Sequence, residues 1–343
     1  LKGKYGFGKS TLMAKLAADA QERNAHVLPI VCGLSKNTSK YLDVFRQIAY
    51  HLENLLNLPH KEEQSFEPKR SKLPTAEWIE YLAKLFAAAD KKLTEPVVIF
   101  IDDADTLPYY HDFQFFIKRL LAGLPQNIVF VLACTDDFAA SAKLTAKIKY
   151  VVYELDALGP KEKELVLAKL ESLYHKELPE EVKNKLLAKK ESSNPLYLAM
   201  MYHRLLMFDS NDFKEIVRLG DGIEGQMEYM LRLIEQAPDD IDGVAAMLME
   251  EAASRINEEL CREVLRLMAV TRRGLRQSDL VNIYKKRNEE RQAEFSLVDF
   301  YRLKKYMRPY FFDISDGRYD FAYENFRLGI LKKDRKSTRL NSS

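Results

Sequence analysis

Gly3-Lys4-Tyr5-Gly6-Phe7-Gly8-Lys9-Ser10 is the stretch that decides the fold of this chain. It satisfies the pattern G-x-x-x-x-G-K-[ST], a phosphate-binding loop. Glycines let successive backbone N–H groups close around phosphate oxygens, a lysine reaches the β- and γ-phosphates, and a hydroxyl holds Mg²⁺. The run Thr11–Ala20, with Leu12, Leu16 and Ala17, reads as the helix that follows. Its N-terminus adds a partial positive charge to the cradle. Gly3, Gly6, Gly8, Lys9, Ser10 and Thr11 are therefore the candidate ligands of ATP or ADP, with Ser10 also on the metal.

Such a loop normally follows a buried parallel strand, and here only Leu1 and Lys2 precede it. With no initiator methionine either, the first strand of the sheet is expected to be missing. At the other end, Asp334-Arg335-Lys336-Ser337-Thr338-Arg339-Leu340-Asn341-Ser342-Ser343 reads as the in-frame translation of a DNA-sequencing adapter. Residues 334–343 are set aside from fold reasoning on that ground.

Outward from the loop, short apolar runs alternate with helical patterns, as in a parallel sheet covered on both faces. The expected strands are Val27–Cys32, Val97–Ile101, Ile128–Cys134 and Val151–Leu155. Each is nearly continuous in Val, Ile, Leu and Phe, which is how strands buried on both sides read. Tyr41–Leu56 carries apolar residues at helical spacing, and Thr75 caps a helix running to about Lys91 with Trp78, Leu82, Leu85 and Phe86 on one stripe. The polar segment Pro59–Pro74 between them reads as a loop.

After Leu155 helices take over, from Lys161–Tyr174 through Glu258–Ala269. The last part is mixed. Leu275–Lys286 and Leu297–Met307 read as helices, and Tyr310–Ile314 and Arg318–Phe321 as strands around the turn Asp316-Gly317. Helices ending in a hairpin make a winged-helix arrangement. The expected domains are thus an NTPase domain over 1–157, a helical lid over 158–222 and a helical and winged-helix domain over 223–333.

Val97-Val98-Ile99-Phe100-Ile101-Asp102-Asp103 is a buried strand ending in carboxylates. That places Asp102 at the sheet edge where the phosphate loop also opens, in the Walker B position that holds the Mg²⁺ shell. Asp103 and Asp105 are rival candidates for orienting the attacking water. The segment Ile101-Asp102-Asp103-Ala104-Asp105-Thr106-Leu107 is similar to the Walker B segment of NACHT-like NTPases of the STAND class, relatives of the AAA+ proteins. Ser193-Asn194-Pro195-Leu196-Tyr197-Leu198 resembles that family's proline motif, Arg272–Leu280 the start of its winged helix, and Asp320–Phe326 the end. The nearest flavour is the telomerase-associated and nephrocystin type, in which tetratricopeptide or WD40 repeats follow.

The resemblance implies an ATP/ADP switch with Mg²⁺ and slow hydrolysis, self-associating through the NTPase domain, with protein partners bound through missing flanking domains. It implies that Pro195 packs beside the adenine and that the position of Tyr323 reads the bound nucleotide. The family often has His there, touching the β-phosphate of ADP. Two more departures matter. Thr135 ends the strand Ile128–Cys134 where many members carry arginine, and keeps only a hydroxyl for the γ-phosphate. Thr106 stands where many have glutamate, which slows hydrolysis. The rival readings are an AAA+ ATPase acting on nucleic acid through the winged helix, and a nucleotide-bound scaffold without turnover.

Composition narrows the field. Lys+Arg number 53 against 51 Asp+Glu, a net of +2, and setting aside the tail leaves the charges balanced. A large nucleic-acid footprint is not expected from that balance. Cys32, Cys134 and Cys261 are scattered, without a C-x-x-C pair, and read as reduced thiols of a cytoplasmic protein. No apolar run is long enough to cross a bilayer. The six histidines lack metal-ligand spacing, which leaves Mg²⁺ as the expected metal.

Overall fold

The computed structural model describes residues 1–32, 40–58, 75–107, 118–135, 150–271, 274–289, 294–314, 317–323 and 325–331. The loop expected at Pro59–Pro74, Tyr109–His111, the Arg272–Arg273 pair, Asp316 and residues 334–343 lie outside them. The chain is α/β and divides into two compact units, Leu1–Asp156 and a second from Ala157 on.

In the first unit the strands are β1 (Lys2–Gly3), β2 (His26–Val31), β3 (Val97–Asp102), β4 (Ile128–Leu132) and β5 (Glu154–Leu155). β2, β3 and β4 pair in parallel, with His26 opposite Val97 and Val97 opposite Ile128. β1 pairs in parallel with β5, Gly3 opposite Leu155. A parallel bridge between Lys2 and Cys134 joins the two sets, and the Cys134 N–H donates to the Leu1 carbonyl at 3.1 Å. The order across the sheet is therefore β2-β3-β4-β1-β5. The strand expected to be missing is represented by Lys2–Gly3. The strand expected over Val151–Leu155 shortens to Glu154–Leu155, with Val151 75% exposed, because β1 offers only two residues to pair with.

Strand β3 shows why this sheet forms. Ile99 and Ile101 point to one face and pack among Val44, Phe45, Ile48, Leu52, Trp78 and Leu82 of the helices Tyr41–Leu56 and Thr75–Lys92. Phe100 points to the other and meets Met13 of the helix Lys9–Glu22 and Ala133. The period of two along the strand thus feeds both layers. Each fully buried Leu, Ile or Phe contributes about 1.5–3 kcal/mol, so truncating one such as Leu52 to Ala costs about 2–5 kcal/mol.

The second unit is mostly helical. Its helices are Pro160–Tyr174, Glu180–Ala188, Pro195–Leu206, Ser210–Leu219, Gly222–Gln236, Ile241–Ile256, Glu258–Val270, Gln277–Arg287 and Leu297–Tyr306. One apolar core runs from Leu167 to Ile330. Among the apolar side chains lies a buried polar network that the sequence did not announce. Arg204, fully buried, donates to Glu251 at 2.6 Å and to Asp212 at 3.2 Å. Arg255 grips both oxygens of Asp212 at 2.6 and 2.9 Å, Tyr229 donates to the same carboxylate, and Tyr306 donates to Glu251 at 2.9 Å.

The unit closes with a small antiparallel sheet of β6 (Leu275–Arg276), β7 (Phe311–Ile314) and β8 (Arg318–Phe321) in the order β6-β8-β7. The helix expected from Leu275 starts at Gln277 instead, because Leu275 and Arg276 pair with Tyr319 and Arg318. Gly274 permits that pairing. Its φ is +66°, and a Cβ there would stand 2.3 Å from the Tyr319 carbonyl oxygen. Arg327 fastens residues 325–331 by donating to the carbonyls of Met268 (2.9 Å) and Ala269 (3.0 Å) at the C-terminus of Glu258–Val270, and to Asp320 at 2.5 Å. Cys32, Cys134 and Cys261 are buried thiols that form no disulfide with one another. Among the described residues no helix is long and apolar enough to cross a membrane.

Candidate functional site

At the C-terminal edge of the first sheet, β1 runs into the glycine loop and then into the helix Lys9–Glu22. Gly6 and Gly8 take φ of +83° and +84°, the left-handed conformation that glycine adopts without strain. Gly8 occupies the N-cap position with no side-chain cap, so the N–H groups of the first turn keep free hydrogen-bonding capacity. A Cβ on Gly8 would meet nothing within 4 Å, so open space lies over the loop. Lys9 is buried, and its ammonium donates to the carbonyls of Gly3 at 2.9 Å and Lys4 at 3.1 Å. Ser10 and Thr11 follow it on the exposed side of the first turn.

Asp102 ends β3 and is buried. Asp103 breaks the strand at φ +52°, and its N–H donates to Asp102 Oδ1 at 3.0 Å. Burial, followed by the charges of Asp102 and Asp105, pushes the Asp103 carboxyl up to about 6, and Lys9 offsets part of this. The charge of Lys9 is therefore felt at Asp103. Asp105 lies on the 3-10 turn Ala104–Thr106, and its Oδ2 accepts from both the N–H (3.2 Å) and the hydroxyl (2.6 Å) of Thr135. Cys32, read from the sequence as a reduced thiol and not as part of the site, lies just past β2. Burial and the charges of Asp103, Asp102 and Asp105 push its thiol up to about 12, so it is protonated and inert near neutral pH. Its place is legible once β2 and β3 are put in register, because Val31 stands opposite Asp102.

The strand order explains the convergence. β4 lies between β1 and β3: its Ala133 N–H still bonds to Ile101 of β3 at 2.9 Å, while the next residue, Cys134, bonds to Leu1 beside β1 at 3.1 Å. Thr135 thus emerges between the strand that feeds the phosphate loop and the strand that ends in Asp102. A phosphate group fits this edge: unclaimed helix N–H groups, open space at Gly8 and a buried lysine are the donors an anion needs. The hydroxyl of Ser10 and the carboxylate of Asp102 are oxygen donors of the kind Mg²⁺ takes; among the described residues no group of three or more His, Cys, Asp or Glu side chains gathers as a metal site.

Pro195 and Tyr323 belong to the second unit. Pro195 is the first residue of its helix, and Asn194 caps that helix by accepting from the Leu196 N–H at 2.9 Å. Tyr323 is half-buried against the core of the second unit, and that burial raises its phenol above its ordinary value. The side chain of Thr106 and residues Asp136–Asp137 lie outside the described residues.

Residues 1–135 match the family described as nephrocystin 3, N-terminal. No curated protein matches the chain. Among solved structures it is similar to a Walker-type ATPase of Pyrococcus abyssi, at 15% identity over 96% of this chain and 89% of that one, with a TM-score of 0.39. It is similar to the Aeropyrum pernix Orc1 protein, solved in complex with DNA, at 14% identity over 99% and 87% of the two chains, with a TM-score of 0.42. It is also similar to AMPPCP-bound DnaA from Aquifex aeolicus, at 15% identity over 90% and 87%, with a TM-score of 0.35.

Proposed function

We propose that this chain is a nucleotide-dependent molecular switch of the NACHT-like, STAND-class type. It binds ATP or ADP with Mg²⁺, hydrolyses ATP slowly, and uses the nucleotide state to control self-assembly. One observation carries the reading: Lys9, Asp102 and Thr135 leave neighbouring strands β1, β3 and β4 at one sheet edge, with Asp103 close enough to Lys9 to feel its charge.

The roles follow from the chemistry. Backbone N–H groups from Gly6 to Ser10 receive the phosphates, and Lys9 exchanges the Gly3 and Lys4 carbonyls for phosphate oxygens. Ser10 and Asp102 hold Mg²⁺, which when bound neutralises charge developing on the β- and γ-phosphates. Asp103, whose carboxyl is raised by burial and then by its acidic neighbours, is the proton acceptor of the pair with Asp105. The departure at Thr106, where related proteins carry glutamate, supports slow turnover, which suits a device whose states differ by γ-phosphate contacts.

From the second unit, Pro195 is the candidate for the adenine side and Tyr323 for the nucleotide-reading contact. There 158–222 serves as the lid and 223–333 as the winged-helix part. The latter assignment is supported by the order helix, β6, helix, helix, β7, β8.

Thermal unfolding tests the proposal. Saturating ADP or ATP with Mg²⁺, at about 100 times Kd, should stabilise the first unit by about 2.7 kcal/mol, and the same Mg²⁺ alone should not. A melting curve indifferent to both nucleotides would remove the reading.

A second reading has its own observation. The helix Leu297–Tyr306 exposes Tyr301, Arg302 and Lys305 on one face, an aromatic and basic set that nucleic acid accepts. Under that reading the chain is an AAA+ ATPase acting on nucleic acid. Duplex DNA binding that weakens steeply with salt, and is lost in Arg302→Ala/Lys305→Ala, would favour it over the switch.

A further inference from the structure

Thr135 uses its only hydroxyl proton inside the protein. Its backbone N–H and its Oγ1–H both donate to one oxygen of Asp105, at 3.2 and 2.6 Å. A threonine hydroxyl has one proton and two lone pairs, while a carboxylate only accepts. With the proton committed to Asp105, Oγ1 is left with lone pairs alone to offer a ligand at the sheet edge. A lone pair cannot satisfy a phosphate oxygen, which is itself an acceptor, but it can take a hydrogen bond from water.

We propose that Asp105 is a positioning residue that makes Thr135 an acceptor for the water attacking the γ-phosphate, rather than a donor that reads the γ-phosphate. This rests on the nucleotide reading above and refines it. The same contact engages Oδ2 of Asp105 with two donors from Thr135, which fixes that carboxylate against β4. In the step itself the water oxygen bonds to the γ-phosphorus as the bond to the β–γ bridging oxygen breaks. ADP leaves with that electron pair, one water proton stays on the released phosphate, and the second passes to Asp103, the proton acceptor proposed above, and from there to solvent. Thr135 loses no atom in this sequence. Its contribution is orientation, which is why a purely structural change and a loss of function can be told apart.

The test uses the whole chain with Mg²⁺, titrated by calorimetry with ADP and with the non-hydrolysable analogue AMPPNP, alongside single-turnover ATP hydrolysis. Thr135→Val should keep the ratio of AMPPNP to ADP affinity within about twofold and slow hydrolysis about tenfold or more. Thr135→Ser should restore the rate. Asp105→Ala frees the hydroxyl proton and should raise AMPPNP affinity relative to ADP. Loss of a negative charge would raise it too, so the decisive comparison is the double variant. A charge effect alone gives the same gain in the Thr135→Val background, whereas the proposal requires a smaller gain there.

The affinity ratios decide the matter even where turnover is too slow to follow. Selective loss of AMPPNP binding in Thr135→Val would overturn the proposal, and so would an equal gain in both backgrounds. A wild-type chain that binds neither nucleotide would instead remove the nucleotide reading, and this inference with it.

Discussion

The ammonium of Lys9 donates to the carbonyl of Gly3 at 2.9 Å, so the loop's lysine is held by the residue that opens the loop. This parks a buried positive charge at the site without a carboxylate partner having to be displaced. Bound phosphate replaces contacts in which only the donor is charged by contacts in which both partners are. Lys9→Ala should therefore weaken both ATP and ADP by about tenfold or more, equivalent to about 1.4 kcal/mol. Calorimetry returning equal affinities for the variant and the wild type would take Lys9 out of the site.

Asp103 yields a pH prediction for the chain without nucleotide or Mg²⁺. Its carboxyl titrates at about 6 in the folded protein, raised by burial and then by Asp102 and Asp105. An unfolded aspartate titrates at about 3.9. Between these values the folded state keeps a proton that the unfolded state has released, so stability falls as pH rises from about 4 to 6. Asp103→Asn cannot lose that proton. Its urea midpoint should exceed the wild type's at pH 7 and converge with it near pH 4; a constant difference across the range would contradict the assignment.

Asp212 works in the opposite direction. Burial alone would raise its carboxyl, but the hydrogen bonds from Arg255 and Tyr229, with the charge of Arg204, outweigh this and hold it well below the usual carboxylate range. The stability it contributes is fully present above about pH 4 and is lost as pH falls toward the folded-state value. Both partners of the Arg204–Asp212 pair are fully buried. Asp212→Ala should cost about 3–5 kcal/mol at neutral pH, because the buried Arg204 and the half-buried Arg255 lose a shared acceptor. Denaturant titrations at pH 7 and pH 3 should show a smaller acid loss in the variant than in the wild type.

Gly274→Ala tests the β6–β8 junction. The substitution puts a Cβ into the space of the Tyr319 carbonyl, 2.3 Å away, at a φ of +66°. Strain at a left-handed position costs about 1–3 kcal/mol, and a clash with backbone adds to it because backbone cannot step aside. Denaturation monitored through the second unit should show at least about 2 kcal/mol of loss. A neutral variant would mean that the strand Leu275–Arg276 is not held against β8 as described.

Much of this molecule was legible from its residues in order. The phosphate loop is contiguous, with glycines at fixed offsets, so Gly6 and Gly8 could be assigned to the phosphate cradle before any packing was known. Helices such as Tyr41–Leu56 announce themselves by apolar spacing, and Asp102 by its place at the end of an apolar run. The failures were local too: Leu275–Arg276 reads as helix because its own residues permit one, and only Tyr319 and Arg318 across the sheet draw it into a strand.

What the tertiary structure alone decided is which distant residues become neighbours. Nothing in the apolar runs says that β4 stands between β1 and β3, since each run encodes burial and period and not the identity of the next strand. That order is what sets Thr135 beside Asp105, 30 residues away in the chain. The gathering of Arg204, Asp212, Glu251 and Arg255 has the same origin. A buried charge has to find its partner wherever packing delivers one, and no local pattern records the address.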